Sequence, residues 1–233
     1  MVTLFSPRKT ALCAALVAAF TLHSLPALAE NAQPAESAAA LKTAAGVTQN
    51  ALGDGLYEMA LFSGEKSLFV ASAQSFKDVN GGVIYRVDPT SLAVTGITHT
   101  DLKNFGMAVD SDGKTFYVTN SLDGGVSKVD AKSGKVMQRL MLDGKDKDGD
   151  PAGAREVLFH EGLLFIGRVA DPGYISVVDA KTMTVKARID NAGKWVTGII
   201  YSPVTKRIYA TNGGGEVLVI NPQSYKIEQR WTP

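Results

Sequence analysis

The sequence predicts an all-β fold built from a repeated four-stranded sheet, and three observations carry that expectation. One block recurs four times: SLFVAS at 67–72, TFYVTN at 115–120, LLFIGR at 163–168 and RIYATN at 207–212. Its aromatic falls at Phe69, Tyr117, Phe165 and Tyr209, spaced by 48, 48 and 44 residues. After each block come glycine and a second β-type run that ends on Asp88, Asp130, Asp179 or Asn221. A further run precedes each block (YEMALF, FGMAVD, REVLFH, TGIIYS) and another follows each turn (LAVTGI, GKVMQR, MTVKAR, YKIEQR). Four short strands in about 44 residues are the period and content of a β-propeller blade.

The chain divides accordingly. Residues 1–29 read as a cleaved export signal: Arg8 and Lys9, then the apolar run 11–22, then Ala27-Leu28-Ala29. The run is too short, and too closely followed by His23 and Pro26, for a span of about 20 residues, so no membrane span is expected after cleavage and a periplasmic location is. Residues 30–54, rich in Ala, Gln and Ser, read as a flexible lead-in. Blades are expected at about 55–102, 103–142, 154–191 and 195–233, with the charged loop 143–153 between the second and third.

Within a blade, alternation in YVTN and VSKVD predicts strands with one buried face. Asp88, Asp130, Asp179 and Asn221 sit in turns where a side-chain oxygen caps the following backbone N–H groups. Gly81-Gly82, Gly124-Gly125 and Gly213 to Gly215 supply the positive φ needed where the second strand meets the third. These residues are assigned to construction.

The repeat, FYVTN followed by GVSKVDAKSGKV, resembles the YVTN-type β-propeller repeat. The longer stretch from GLYEMALFSGEKSLFVAS to DLKNFGMAVD is similar to YncE-type periplasmic propellers, and the likeness runs from Gly55 to Arg230. That resemblance implies a seven-bladed fold with no established enzymatic activity, to which single-stranded DNA binding is attributed. Seven blades at about 44 residues would need roughly 300 residues. The 179 residues from Gly55 supply about four, so an open array or a fragment of a larger ring is expected.

Composition narrows the chemistry. Without residues 1–29 the chain has 22 Lys+Arg against 23 Asp+Glu, a net charge of 22 − 23 = −1. Nucleic acid would therefore need a local patch. Cys13 lies in the signal, leaving no disulfide or thiol nucleophile, and only His99 and His160 remain as histidines. No HExxH, GxSxG, phosphate-binding loop or GxGxxG is present. No cofactor and no catalytic residue are expected.

In propellers, ligands meet loops at one end of the central channel. The resemblance places there Tyr57, Phe105, Asn120, Arg155, Arg168, Trp195 and Asn212, with Glu58, Ser72 and Glu156 among them and Phe76, Lys77, Lys103 and Lys194 nearby. Aromatic rings stack bases and cations track phosphates, which makes this set the candidate interface for single-stranded DNA. Two alternatives stay open. Glu58, Glu156, Asn120 and Asn212 offer ligands for a metal-dependent, lactonase-like hydrolase, and a bare propeller also serves as a scaffold for another protein. The loop DGKDKDGDPAG misses both end ligands of a calcium hand, Gly144 and Arg155 standing at positions 1 and 12. DNAGKW shares letters with the tryptophan-docking repeat of quinoprotein propellers but occurs once, so no quinone is expected.

Overall fold

The computed structural model describes residues 46–62, 66–75 and 80–232. The export signal, most of the lead-in, Phe76 and Lys77 lie outside the described residues. Among the described residues, sixteen strands form four antiparallel sheets, each a meander in chain order. The first holds β1 (Leu56–Phe62), β2 (Ser67–Ser72), β3 (Gly82–Val87) and β4 (Val94–Thr100). The second holds β5 (Met107–Val109), β6 (Thr115–Asn120), β7 (Gly125–Asp130) and β8 (Val136–Met141). The third holds β9 (Gly153–His160), β10 (Leu163–Val169), β11 (Ile175–Asp179) and β12 (Thr184–Ile189). The fourth holds β13 (Val196–Ser202), β14 (Arg207–Asn212), β15 (Val217–Ile220) and β16 (Ile227–Trp231).

The turns between third and fourth strands form as their residues dictate. The Asp88 carboxylate accepts from the backbone N–H groups of Thr90 and Ser91 and from the Ser91 hydroxyl. Asp130 does the same with Ser133, and Asp179 with Lys181 and Thr182. Asn221 uses its amide oxygen on Gln223 and Ser224. Four residues on, the backbone turns left-handed at Leu92, Gly134, Met183 and Tyr225. Only the second sheet has glycine at that position. In the third, Met183 accepts a φ of 54° and buries its side chain in return.

Sheets stack face to face in succession. Phe62, Phe69 and Ile84 pack against Phe116 and Val118 between the first and second. Tyr117 and Val126 pack against Leu164 and Ile166 between the second and third. Phe165 and Val177 pack against Ile208 and Leu218 between the third and fourth. This corrects the expectation of half-buried strands: β6 is buried at every residue, because Phe116 and Val118 point into one interface while Tyr117 points into the next. Burial pushes the Tyr117 hydroxyl pKa up to about 12.

A repeated clasp ties neighbours together. Arg86 on β3 lies over the Phe69 ring and donates to the Ala131 carbonyl of the next sheet. Lys128 on β7 lies over Tyr117 and donates to the Ala180 carbonyl at 3.1 Å. The inner strands pack in order, β1 on β5, β5 on β9 and β9 on β13, and among the described residues no comparable packing returns from β13 to β1. The sheets are not closed into a ring.

Candidate binding site at the mouth of the inner strands

Each inner strand begins with an irregularity against its second strand. On β1, Tyr57 and Glu58 together oppose the single residue between Val70 and Ser72. On β9, Arg155 and Glu156 likewise oppose the one residue between Ile166 and Arg168. Ahead of β5, Phe105 donates its N–H to the Thr119 carbonyl, and Thr119 donates back to the Gly106 carbonyl. An extra residue bends the strand and re-aims the side chains on it. Here it turns Tyr57, Phe105 and Arg155, which hold equivalent places in the repeat, toward one another.

The resulting cluster joins three sheets. The rings of Tyr57 and Phe105 meet edge to face at 4.6 Å. The Arg155 guanidinium lies 4.3 Å from the centre of Tyr57 and 5.1 Å from that of Phe105, and donates to the Tyr57 hydroxyl at 2.6 Å. Phe105 is fully buried beneath, while Tyr57 is 40% exposed and Arg155 half-buried. Phe105 is thus corrected from a base-stacking ring to the floor that holds Tyr57 and Arg155 in place.

Glu58 and Glu156 occupy the next position of the same irregularity, and each carboxyl acts on the other's titration. The equivalent residue in the second sheet is Gly106, which lets the start of β9 approach closely. A Cβ there would run into the Arg155 carbonyl oxygen and crowd the Glu156 backbone. Glu58 also accepts the Met107 N–H at 2.8 Å. Burial and the neighbouring Glu58 carboxyl raise the Glu156 pKa to about 8. Burial raises that of Glu58 as well, against the pull of Met107. The pairing is visible in the aligned repeat, where one column reads Glu58, Gly106, Glu156, Gly198.

Three expected ligand residues turn out to be structural, for a common reason. A residue at or next to the end of each second strand anchors the loop entering its own first strand. Ser72 donates to the Asp54 carbonyl, Asn120 to Lys103, Arg168 to Ala152 and Asn212 to Ala192. Asn120 completes its bonding by accepting from Ser127, and Asn212 from the N–H groups of Gly214 and Glu216. Arg168 is entirely buried, donates to the Ser176 hydroxyl and lies beside the Tyr174 ring. Its desolvation lowers the guanidinium pKa. Neither the two asparagines nor Arg168 is within reach of a ligand at the mouth.

Trp195 precedes β13, is 45% exposed and carries the Lys194 ammonium 4.3 Å from its ring centre. The ligand set of the hydrolase alternative comes together only in part, with Glu58 and Glu156 acting on each other while Asn120 and Asn212 are held elsewhere. Among the described residues no group of three or more His, Cys, Asp or Glu is placed to hold a metal. In the charged loop, the Asp146 carboxylate accepts from the backbone of Asp148 and Asp150 and so caps its own turn.

Residues 60–214 match the SMP-30/gluconolactonase/LRE-like region. Proteins carrying the name "uncharacterized protein YncE" are similar to the chain over 186 residues, at 37% identity in Salmonella typhi and 36% in Escherichia coli strain K12. The match covers 78% of this chain and 53% of those proteins, so the chain spans about half the length of the relatives it matches. A chain of Kuenenia stuttgartiensis hydrazine synthase superposes with a TM-score of 0.63 over 81% of this chain and 52% of its own, at 18% identity, a likeness of fold. Repeat, sheet order and relatives agree: the chain belongs to the SMP-30/gluconolactonase/LRE-like family and is a YncE-like β-propeller.

Proposed function

We propose that this propeller is an exported, non-enzymatic binding module that takes single-stranded DNA at the mouth of its inner strands. The observation carrying the reading is the Tyr57–Arg155 stack on its Phe105 floor. Trp195 with Lys194 supplies a second exposed ring and cation at the start of β13. A flat ring beside a cation suits an unpaired base and its phosphate, and base stacking contributes about 1–3 kcal/mol per ring. In a chain whose charges nearly balance, only such a local arrangement can attract a polyanion. The YncE resemblance agrees with a binding role and with residence in the periplasm. Among the described residues no helix is long and apolar enough to cross a membrane.

The test is retention on immobilised single-stranded DNA across a salt series. The reading expects salt-sensitive retention, with the slope of log affinity against log salt falling by about 0.7 when Arg155 is changed to Ala. Absence of retention at low salt would overturn it. A lactonase-like hydrolase would instead take up a stoichiometric divalent ion through Glu58 and Glu156, which a metal assay on the purified protein detects. For a scaffold role, the exposed Tyr57 and Trp195 are the anchors a protein partner would use.

A further inference from the structure

We infer that the open face of the first sheet is a docking surface for the open face of the fourth sheet of a second copy of this chain, so that copies associate head to tail. Each internal interface joins two different faces. The forward face of one sheet, carried by Phe69, Tyr117 or Phe165, meets the rear face of the next, carried by Phe116, Leu164 or Ile208. Among the described residues, the first sheet is left with a bare rear face and the fourth with a bare forward face. These are the two halves of one such interface, at opposite ends of the same molecule.

Equivalent positions of the repeat show what each open face lacks. On the rear face, Met59 pairs with Val70 as Met107 pairs with Val118. Met59 is 65% exposed, whereas Met107, covered by the first sheet, is 4% exposed. Leu61, opposite Leu68, holds the place of Val109 and is likewise bare. Asn50 and Leu52 cover part of this face towards Val87 and Leu92 and leave both side chains open. On the forward face, Ile200 pairs with Tyr209 as Leu158 pairs with Phe165. Leu158 packs into the interface with the fourth sheet, while Ile200 is 66% exposed. Trp231, opposite Val217, holds the place of Ile189 opposite Ile175; Ile189 is buried, and Trp231 is half exposed against the Tyr209 ring. The chain buries such faces by stacking sheet on sheet at three interfaces already, and a second copy brings the complementary half of a fourth. A contact of this head-to-tail kind repeats until a ring closes. Twice the four sheets of one chain stays within the roughly four to eight that rings of this architecture hold.

Sedimentation velocity of the intact chain across a dilution series, without nucleic acid, tests the contact. The native chain is expected to associate reversibly as its concentration rises. Met59→Lys alters only the rear face and Ile200→Lys only the forward face. Each should weaken self-association at least about tenfold, because docking would bury an ammonium without a partner. Mixed in equal amounts, the two variants should associate again and stop at two copies. The intact forward face of the Met59→Lys chain then meets the intact rear face of the Ile200→Lys chain, and the remaining faces are blocked. Leu61→Lys with Trp231→Lys is expected to behave as a second such pair, and circular dichroism checks that each variant is folded. Undiminished association in one variant of a pair, with loss in the other, would mean that like faces meet and would overturn the head-to-tail contact. Folded variants that fail to recover association on mixing would overturn it as well. A native chain that stays monomeric throughout the series would rule out a second copy as the occupant.

Discussion

Asn120 and Arg168 show how a residue type can mislead at the level of single side chains. Asn120 ends a second strand and Arg168 stands one residue before the end of one, and both spend their polar groups on the loop entering their own sheet. Replacing Asn120 with Ala removes the bonds to Lys103 and Ser127 from a buried site, which should cost about 2 kcal/mol. Arg168→Ala strips a fully buried side chain from the Ala152 carbonyl and the Ser176 hydroxyl, and should cost about 3 kcal/mol or more. Urea midpoints check both values, and an Arg168→Ala protein as stable as the native one would contradict the anchoring role. The aspartate turns act in the opposite pH sense to Glu156. Hydrogen bonds hold the Asp88, Asp130 and Asp179 carboxyls below the ordinary 3.8. Their contribution is complete above that value and is lost as pH falls through the lowered pKa values. With Glu156 eroding stability above 4.5, the unfolding midpoint should peak in mildly acidic solution.

At the level of the strand and its turn, the repeat was legible because each element carries its own cause. The aspartate turns could be assigned from Asp followed by Ser or Thr, and the Gly124-Gly125 pair from its need for a positive φ, found at 69° for Gly124. The irregularity that builds the site was not legible, since nothing in LYEM or GARE marks an extra residue against the partner strand. Its trace lay in the column Glu58, Gly106, Glu156, Gly198, where acids alternate with glycines. Burial of both faces of β6 was also hidden, because alternation distinguishes faces without saying that a neighbouring sheet covers each. The inter-sheet clasp gives a check at this scale. Lys128→Ala loses the bond to Ala180 and the contact with Tyr117, and should cost about 1 kcal/mol. In thermal unfolding that is a shift of roughly 2–4 °C for a chain of this size.

Among the described residues, three inter-sheet interfaces repeat one pattern, and the two terminal sheet faces have no such neighbour. The first sheet leaves Met59 and Leu61 about 65% and 59% exposed, and the fourth leaves Ile200 at 66% and Trp231 at 50%. Leu52 and Asn50 cover part of the first face, Asn50 donating to the Leu92 carbonyl. Apolar surface of this kind promotes association. Ile200→Lys should reduce concentration-dependent light scattering while changing stability by no more than about 0.5 kcal/mol, since the residue is already 66% exposed.

The mouth formed by Tyr57, Phe105 and Arg155 is the centre of the proposed function, and fluorescence anisotropy of a labelled oligothymidylate titrated with the intact chain puts it to the test. The native protein should bind at low salt, and the Tyr57→Ala/Arg155→Ala double variant, shown to be folded by circular dichroism, should lose at least about tenfold in affinity. Equal binding by the two proteins, or none by the native chain, would contradict the claim.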